Sequence, residues 1–124
     1  MKKVIATPEA PKAVGPYSQA IEVNGTIYVS GQIPVNPSDG SVPSSIEEQS
    51  RQALKNVGAI LKEAGLSYSD VVKTTVLLAD IADFAAMNAV YAEFFKEDKP
   101  ARACFQVAAL PMGVKVEIEA VAVR

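Results

Sequence analysis

Two stretches of this 124-residue chain repeat apolar residues at helical spacing, and only short segments are left between and around them. In the first stretch the apolar positions share one helical face, and they are Leu54, Val57, Ile60, Leu61 and Ala64. In the second stretch they are Phe84, Met87, Val90, Tyr91 and Phe94. This spacing predicts two amphipathic helices, each with one face to bury. Ser45 and Glu48 have the spacing of a capping box that opens the first helix, and Gly65 is placed to end it.

Short runs rich in β-branched residues surround these helices and are typical of strands. "AIEVNGTIYVSGQIPV" predicts a hairpin, because Asn24 and Gly25 both tolerate the positive φ angles of a tight turn. "DVVKTTVLLAD" predicts one strand between the helices. "PARACFQVAALPMGVKVEIEAVAV" predicts a second hairpin with its turn at Pro111 and Met112. The predicted order is β-β-α-β-α-β-β.

A single sheet covered on one side by two helices is the economical way to bury both helical faces. The expected fold class is therefore α+β, with residues 1–124 forming one domain. The other face of the sheet would carry Val, Ala and Thr residues, and no segment of the chain remains to cover it. An apolar face of that size favours self-association.

Composition excludes several classes of function. The chain has no histidine, which excludes Ser-His-Asp and Cys-His catalysis and His-ligated zinc. A net charge of -2 without a basic run argues against a nucleic-acid partner. No apolar run approaches the ~18 residues of a membrane span, and "MKKVIATPEAPKA" lacks the apolar block of a signal peptide. With Cys104 as the only cysteine, we expect a cytoplasmic protein without a membrane partner.

The second predicted hairpin contains charges where a strand would otherwise be buried. Hairpin parity places the polar side chains on one face, and they are Arg102, Cys104, Gln106, Glu117 and Glu119. The same parity turns Phe105, Val107, Val116 and Ile118 toward the helices, unless a bulge breaks it. Arg102 could anchor a substrate carboxylate, since a guanidinium binds carboxylates bidentately. The alternatives are an ion pair with Glu117 or Glu119, within one subunit or between subunits, or a solvated edge position.

Other candidate positions carry weaker signals. Tyr17 lies in "GPYSQA" before the first strand, and Ser30 and Gly31 lie in "SGQIP", where a glycine permits close approach of a ligand to the backbone. Asn88 is an amide within the second helix, where it is unfavourable for helix stability. Cys104 has no histidine or obvious basic activator and is interpreted as a buried small hydrophobe rather than a nucleophile. Packing or turn roles explain each of these residues equally well when it is taken alone.

Taken together, these motifs resemble the RidA/YjgF family, the endoribonuclease L-PSP-like proteins. The resemblance rests on "GPYSQA", "SGQIP", "QALKNVGAILKEAG", "VVKTTVLLAD" and the terminal stretch with Pro100-Ala101-Arg102, Leu110 and Val116-Glu117-Ile118. It implies a chorismate-mutase-like fold assembled as a homotrimer, with the sheets facing inward and sites between subunits. It also implies hydrolysis of the 2-imino acids that pyridoxal-phosphate dehydratases release, such as 2-iminopropanoate and 2-iminobutanoate, without a metal or another cofactor.

The resemblance also implies roles for individual residues. Arg102 would bind the substrate carboxylate, Glu117 would handle the hydrolytic water, and the backbone carbonyl of Cys104 would help to orient that water. Tyr17, Ser30, Gly31 and Asn88 would line the pocket, some of them from a neighbouring subunit. For this chemistry Glu117 needs a raised pKa, which burial would supply and a nearby Arg102 would oppose.

The chain departs from the family pattern at one position, and an alternative function remains open. Lys99 stands where relatives often have an aromatic residue, so one wall of the pocket and the substrate range could differ. The alternative function is a non-catalytic trimeric module that binds a small carboxylate and acts in regulation. The nuclease activity attributed to some relatives fits poorly with an acidic chain that lacks histidine.

Overall fold

The structure is a computed structural model that describes all 124 residues. Its strands are β1 (Lys3–Ile5), β2 (Ala20–Val23), β3 (Thr26–Gln32), β4 (Val71–Leu78), β5 (Ala101–Gln106) and β6 (Val116–Val123). Its helices are α1 (Ile46–Glu63) and α2 (Phe84–Phe94). The six strands form one sheet in the order β1-β2-β3-β6-β4-β5. The expected α+β class is confirmed, and the three-residue strand β1 is an addition that the sequence did not predict.

Both helices pack on one face of the sheet and bury most of the predicted apolar positions, but Phe84 at the start of α2 remains 38% exposed and Phe94 is only partly buried. Leu54, Val57, Ile60 and Leu61 of α1 are almost completely buried. The hydroxyl oxygen of Ser45 accepts a hydrogen bond from the Glu48 backbone N–H at 3.1 Å, which confirms one half of the capping box. Gly65 has φ +77°, the left-handed conformation that commonly follows a helix. In α2 the buried apolar residues are Met87, Val90 and Tyr91.

The hairpin of β2 and β3 turns at the predicted pair of residues. Asn24 and Gly25 have φ angles of 50° and 78°, as a tight two-residue turn requires. The strands pair antiparallel on either side, with Val23 opposite Thr26. The first hairpin is therefore confirmed.

The second predicted hairpin is wrong, because β5 and β6 are not neighbours. β6 is inserted between β3 and β4 and runs antiparallel to both, whereas β5 is an edge strand parallel to β4. The physical reason lies in α2, which returns the chain across the sheet so that β5 starts beside the start of β4. Residues 107–115 then cross over β4 and include a short 3₁₀ turn at Pro111–Gly113.

This topology also corrects the predicted parity. Val116 and Ile118 are fully buried under the helices, as expected, so Glu117 and Glu119 lie on the opposite face. Arg102 and Cys104, however, are in register with Thr74 and Val76, whose side chains point to the helices. The side chains of β5 that lie on the helix side are therefore Arg102, Cys104 and Gln106. Phe105 is half-exposed and lies on the open face. The two strands do not present their polar residues on a common face.

The face of the sheet opposite the helices is open and partly apolar, as the sequence predicts. Tyr28, Phe105 and Val123 remain 51%, 48% and 41% exposed there. Lys73, Thr75 and Glu119 lie among them and border a small depression of about 120 Å³. Neither helix combines the length and the apolar character that a membrane crossing needs.

Candidate functional site

Arg102 is held against α2 by three side chains of that helix. Its Nη1 donates a 2.7 Å hydrogen bond to Oδ1 of Asn88. Its guanidinium carbon lies 4.8 Å from the ring centre of Tyr91 and 5.5 Å from that of Phe84. Residues 84, 88 and 91 share one helical face because they are spaced by four and three positions. The helix therefore forms a cradle of two rings and an amide around the guanidinium.

No carboxylate neutralises this cation in the chain. The ion pairs of the structure involve Arg51 and Arg124, and none involves Arg102. The predicted alternative of an ion pair with Glu117 or Glu119 is wrong within one protomer, since those glutamates lie on the other face of the sheet. A guanidinium has five N–H donors, and the bond to neutral Asn88 uses one of them. The cradle leaves donors and a full positive charge for an external anion.

Glu117 lies on the open face of β6, over Gly31 of β3. A Cβ atom at Gly31 would overlap Oε2 of Glu117 and lie 2.9 Å from its Cδ, so the glycine provides the space for this carboxylate. The pKa of Glu117 is raised above its usual range, mainly by burial and secondly by the negative charge of Glu119. Within one chain, Arg102 does not lower the pKa of Glu117, contrary to the expectation from the sequence. Glu117 is therefore a base that holds a proton more readily than an ordinary surface glutamate.

Ser30 and Tyr17 border the open face next to Gly31. The Ser30 hydroxyl donates to the backbone oxygen of Ser18 at 2.6 Å, and the Ser30 backbone N–H donates to the oxygen of Gln19 at 2.9 Å. Tyr17 is 48% exposed, and its hydroxyl accepts a 3.3 Å hydrogen bond from the Val14 N–H. Tyr17, Ser30 and Glu119 line an open cleft of about 490 Å³.

Cys104 packs against the core as a small apolar residue, but it is half-buried rather than fully buried as predicted. Burial raises the pKa of its thiol, and the positive charge of Arg102 only partly opposes that effect. A protonated thiol is a poor nucleophile. Lys99, which stands where relatives often have an aromatic residue, is exposed. Its ammonium donates a hydrogen bond to the backbone oxygen of Lys96 at 3.0 Å. No group of three or more Cys, Asp or Glu side chains is arranged to hold a metal ion.

The predicted site residues thus form two separate groups in one chain. Arg102, Asn88 and Cys104 lie on the helix side of the sheet at its β5 edge. Glu117, Gly31, Ser30 and Tyr17 belong to the opposite side, around β3 and β6. Sequence reasoning missed the roles of Phe84 and Tyr91 beside Arg102, although their spacing to Asn88 was available as a signal.

Comparisons with known proteins find relatives that match nearly the whole length of the chain. The sequence profile of the family described as Endoribonuclease L-PSP matches residues 7–124. A protein of Mus musculus named 2-iminobutanoate/2-iminopropanoate deaminase is 56% identical over 100% of this chain and 93% of its own length. The protein of the same name in Escherichia coli K12 is 54% identical over 100% of this chain and 99% of its own. The crystal structure of E. coli TdcF with bound serine superposes with a TM-score of 0.94 at 49% identity, over 98% of each chain.

Proposed function

Because this chain belongs to the endoribonuclease L-PSP family, the RidA/YjgF family that its motifs resemble, we propose that it is a 2-imino acid deaminase. It hydrolyses 2-iminobutanoate and 2-iminopropanoate to the 2-oxo acids and ammonia. Relatives that carry this name share more than half of their residues with the chain over its full length. These imino acids arise when pyridoxal-phosphate dehydratases act on threonine and serine, so the protein works downstream of such enzymes in the cytoplasm.

The separation of Arg102 from Glu117 supports a site that is shared between subunits. One protomer presents a free cation on the helix side of its sheet edge, and the carboxylate lies on the open face. A homotrimer of the chorismate-mutase-like type, with open sheet faces turned inward, brings the Arg102 group of one subunit to the Glu117 group of the next. The exposed apolar residues of that face supply the driving force. The expected mass is three times the 13.1 kDa of one chain, and a single-chain mass in light scattering would contradict this assembly.

Arg102 binds the carboxylate of the imino acid. Its remaining N–H donors form the bidentate contact that a planar carboxylate accepts. Asn88 holds the guanidinium in place, while Tyr17, Ser30 and Gly31 border the rest of the pocket. Fixing the substrate by this one anionic group places its C2 atom against the catalytic base, and such orientation lowers a barrier by several kcal/mol.

Glu117 acts as a general base and then as an acid. It accepts a proton from water while the water oxygen bonds to C2, and it passes that proton to the imine nitrogen, which gives a carbinolamine. It then moves the proton of the new hydroxyl to the nitrogen, so that the C–N bond breaks, ammonia leaves and the carbonyl forms. The backbone carbonyl of Cys104 orients the water. A raised pKa suits a group that both accepts and returns a proton, and such catalysis contributes about 10²–10⁴-fold.

The test is a stopped-flow assay with a threonine or serine dehydratase that generates the imino acid. The lag before 2-oxo acid appears measures imine hydrolysis, and it should shorten in proportion to added protein. Arg102→Ala should lower this activity by about 10²-fold, because truncation of a charged anchor costs several kcal/mol. Lys55→Ala removes an exposed cation of α1 and serves as the matched control.

Two outcomes would contradict the proposal. The wild-type protein could leave the lag unchanged with both dehydratases, or Arg102→Ala could shorten it as well as wild type does. If the first outcome came with calorimetric binding of 2-oxobutanoate that depended on Arg102, the alternative of a non-catalytic carboxylate-binding module would be favoured instead.

A further inference from the structure

We propose that Tyr91, anchored through Thr74, is a positioning residue that holds the Arg102 guanidinium ready for the substrate carboxylate. The inference rests on the proposed function, in which Arg102 is the anion anchor. Neither Tyr91 nor Thr74 is among the residues proposed to touch the substrate. The inference gives both of them a role in substrate binding in addition to core packing.

The position of Tyr91 is fixed from two directions. The residue is 6% exposed and belongs to the core cluster, and its hydroxyl forms a 2.7 Å hydrogen bond with the hydroxyl of Thr74, in which either oxygen can be the donor. Thr74 is 1% exposed and lies on β4. The parallel pairing of β4 with β5 places Thr74 directly beside Arg102. Helix α2 and strand β4 therefore both determine where the ring lies under the guanidinium.

The chemistry of the contact keeps the cation available. A ring attracts a cation through its π face and uses none of the guanidinium N–H donors. Asn88 takes one donor at 2.7 Å and adds no negative charge. Burial raises the pKa of the Tyr91 hydroxyl, so that it stays neutral and does not compete as an anion. A carboxylate at the same place would hold Arg102 equally well, but it would neutralise the charge that the substrate needs.

Tyr91→Leu removes the ring while it keeps an apolar side chain in the cluster. A partly desolvated cation–π contact corresponds to roughly a 5- to 30-fold change in affinity, so binding of 2-oxobutanoate should weaken by that factor. KM should rise with it, and kcat should change less, because Arg102 grips the carboxylate in both the ground state and the transition state. Tyr91→Phe keeps the ring but frees it from Thr74, and a smaller loss of affinity of about 2- to 5-fold is expected.

The decisive experiment is a double-mutant cycle of Tyr91→Leu with Arg102→Ala, measured by calorimetry with 2-oxobutanoate and by the KM and kcat of imine hydrolysis. If Tyr91 acts through Arg102, Tyr91→Leu weakens binding in the wild-type background and has less than a twofold effect once Arg102 is truncated. Tyr68→Leu is the matched control, since Tyr68 is another largely buried tyrosine whose hydroxyl bonds elsewhere, to the Leu54 backbone oxygen at 2.7 Å. The control should lower stability and leave the affinity unchanged.

Equal effects of Tyr91→Leu in both backgrounds, or none in either, would overturn the inference. If Tyr91→Leu does not fold, the same cycle is run with Tyr91→Phe, and the double variant Tyr91→Phe/Thr74→Val restores a satisfied core without the hydroxyl pair. That double variant should bind 2-oxobutanoate as weakly as Tyr91→Phe alone, and full affinity would again refute the inference. Failure of the proposed function is distinguishable, because in that case the wild-type protein shows no imine turnover, whereas the calorimetric cycle with 2-oxobutanoate still reports whether Tyr91 acts through Arg102.

Discussion

The space above Gly31 provides the sharpest test of whether Glu117 is the catalytic base. In Gly31→Ala the new methyl group would overlap Oε2 of Glu117 and lie 2.9 Å from Cδ and 3.2 Å from Cγ. To reach an ordinary contact distance, the carboxylate must move by about 1 Å or more. Misplacement of a catalytic group by that amount costs on the order of 10²-fold, so we expect kcat for imine hydrolysis to fall by about that factor.

The fold itself should tolerate this change. Gly31 does not have a positive φ, and the atom in the way is the free end of a flexible side chain. Alanine also reduces the conformational freedom of the unfolded chain, so the free energy of unfolding should change by no more than about 1 kcal/mol. Urea denaturation measures this quantity. Gly15→Ala is the matched control, because its Cβ would meet only the ring of Tyr17 at an ordinary contact distance of 3.7 Å, and kcat should fall far less than in Gly31→Ala.

A double variant separates displacement of Glu117 from any other effect of the methyl group. Glu117→Gln removes the proposed base, so adding Gly31→Ala to it should cause little further loss of kcat. A folded Gly31→Ala protein with full activity would refute the inferred position of the base. A loss from Gly31→Ala that is as large with Glu117→Gln as without it would show that the glycine matters for another reason.

Two further predictions follow from the structure. The negative charge of Glu119 raises the pKa of Glu117, the proposed base, which must be ionised to accept a proton, so Glu119→Gln should move the acid limb of kcat/KM to lower pH in a pH–rate profile. Gly58→Ala should lower the free energy of unfolding in urea by about 1–3 kcal/mol, although helix propensity alone predicts a gain, because its Cβ would lie 2.6 Å from Cζ of Tyr68. In a Tyr68→Ala background the same change should instead stabilise the protein.

Features that depend on a few neighbouring residues were predictable from the sequence. The turn at Asn24 and Gly25, the Ser45 cap and the left-handed Gly65 just after the end of α1 each follow from local conformational preference. The buried faces of α1 and α2 follow from periodicity for the same reason. Strand β1 was missed because three residues are too few to show an alternating pattern.

The arrangement of the last two strands was not local and was predicted incorrectly. Adjacent strands in a sequence usually pair, but β6 instead fills the position between β3 and β4. The order β4, α2, β5 could have predicted the correct pairing, because two strands connected by a helix most often pair in parallel. That pairing alone would have placed Arg102 on the helix side beside Thr74, within reach of Asn88.

The corrected parity strengthens the case for a shared site. If Arg102 and Glu117 had lain on one face of one hairpin, they could have formed an ion pair. That pair would have occupied the N–H donors of the guanidinium and lowered the pKa of the carboxylate. The sheet keeps them apart instead, so the guanidinium has only a neutral amide partner and the glutamate keeps a raised pKa. In the proposed trimer the guanidinium and the carboxylate would meet only across a subunit interface. A substitution that disturbs the open sheet face should then impair catalysis without contacting the substrate.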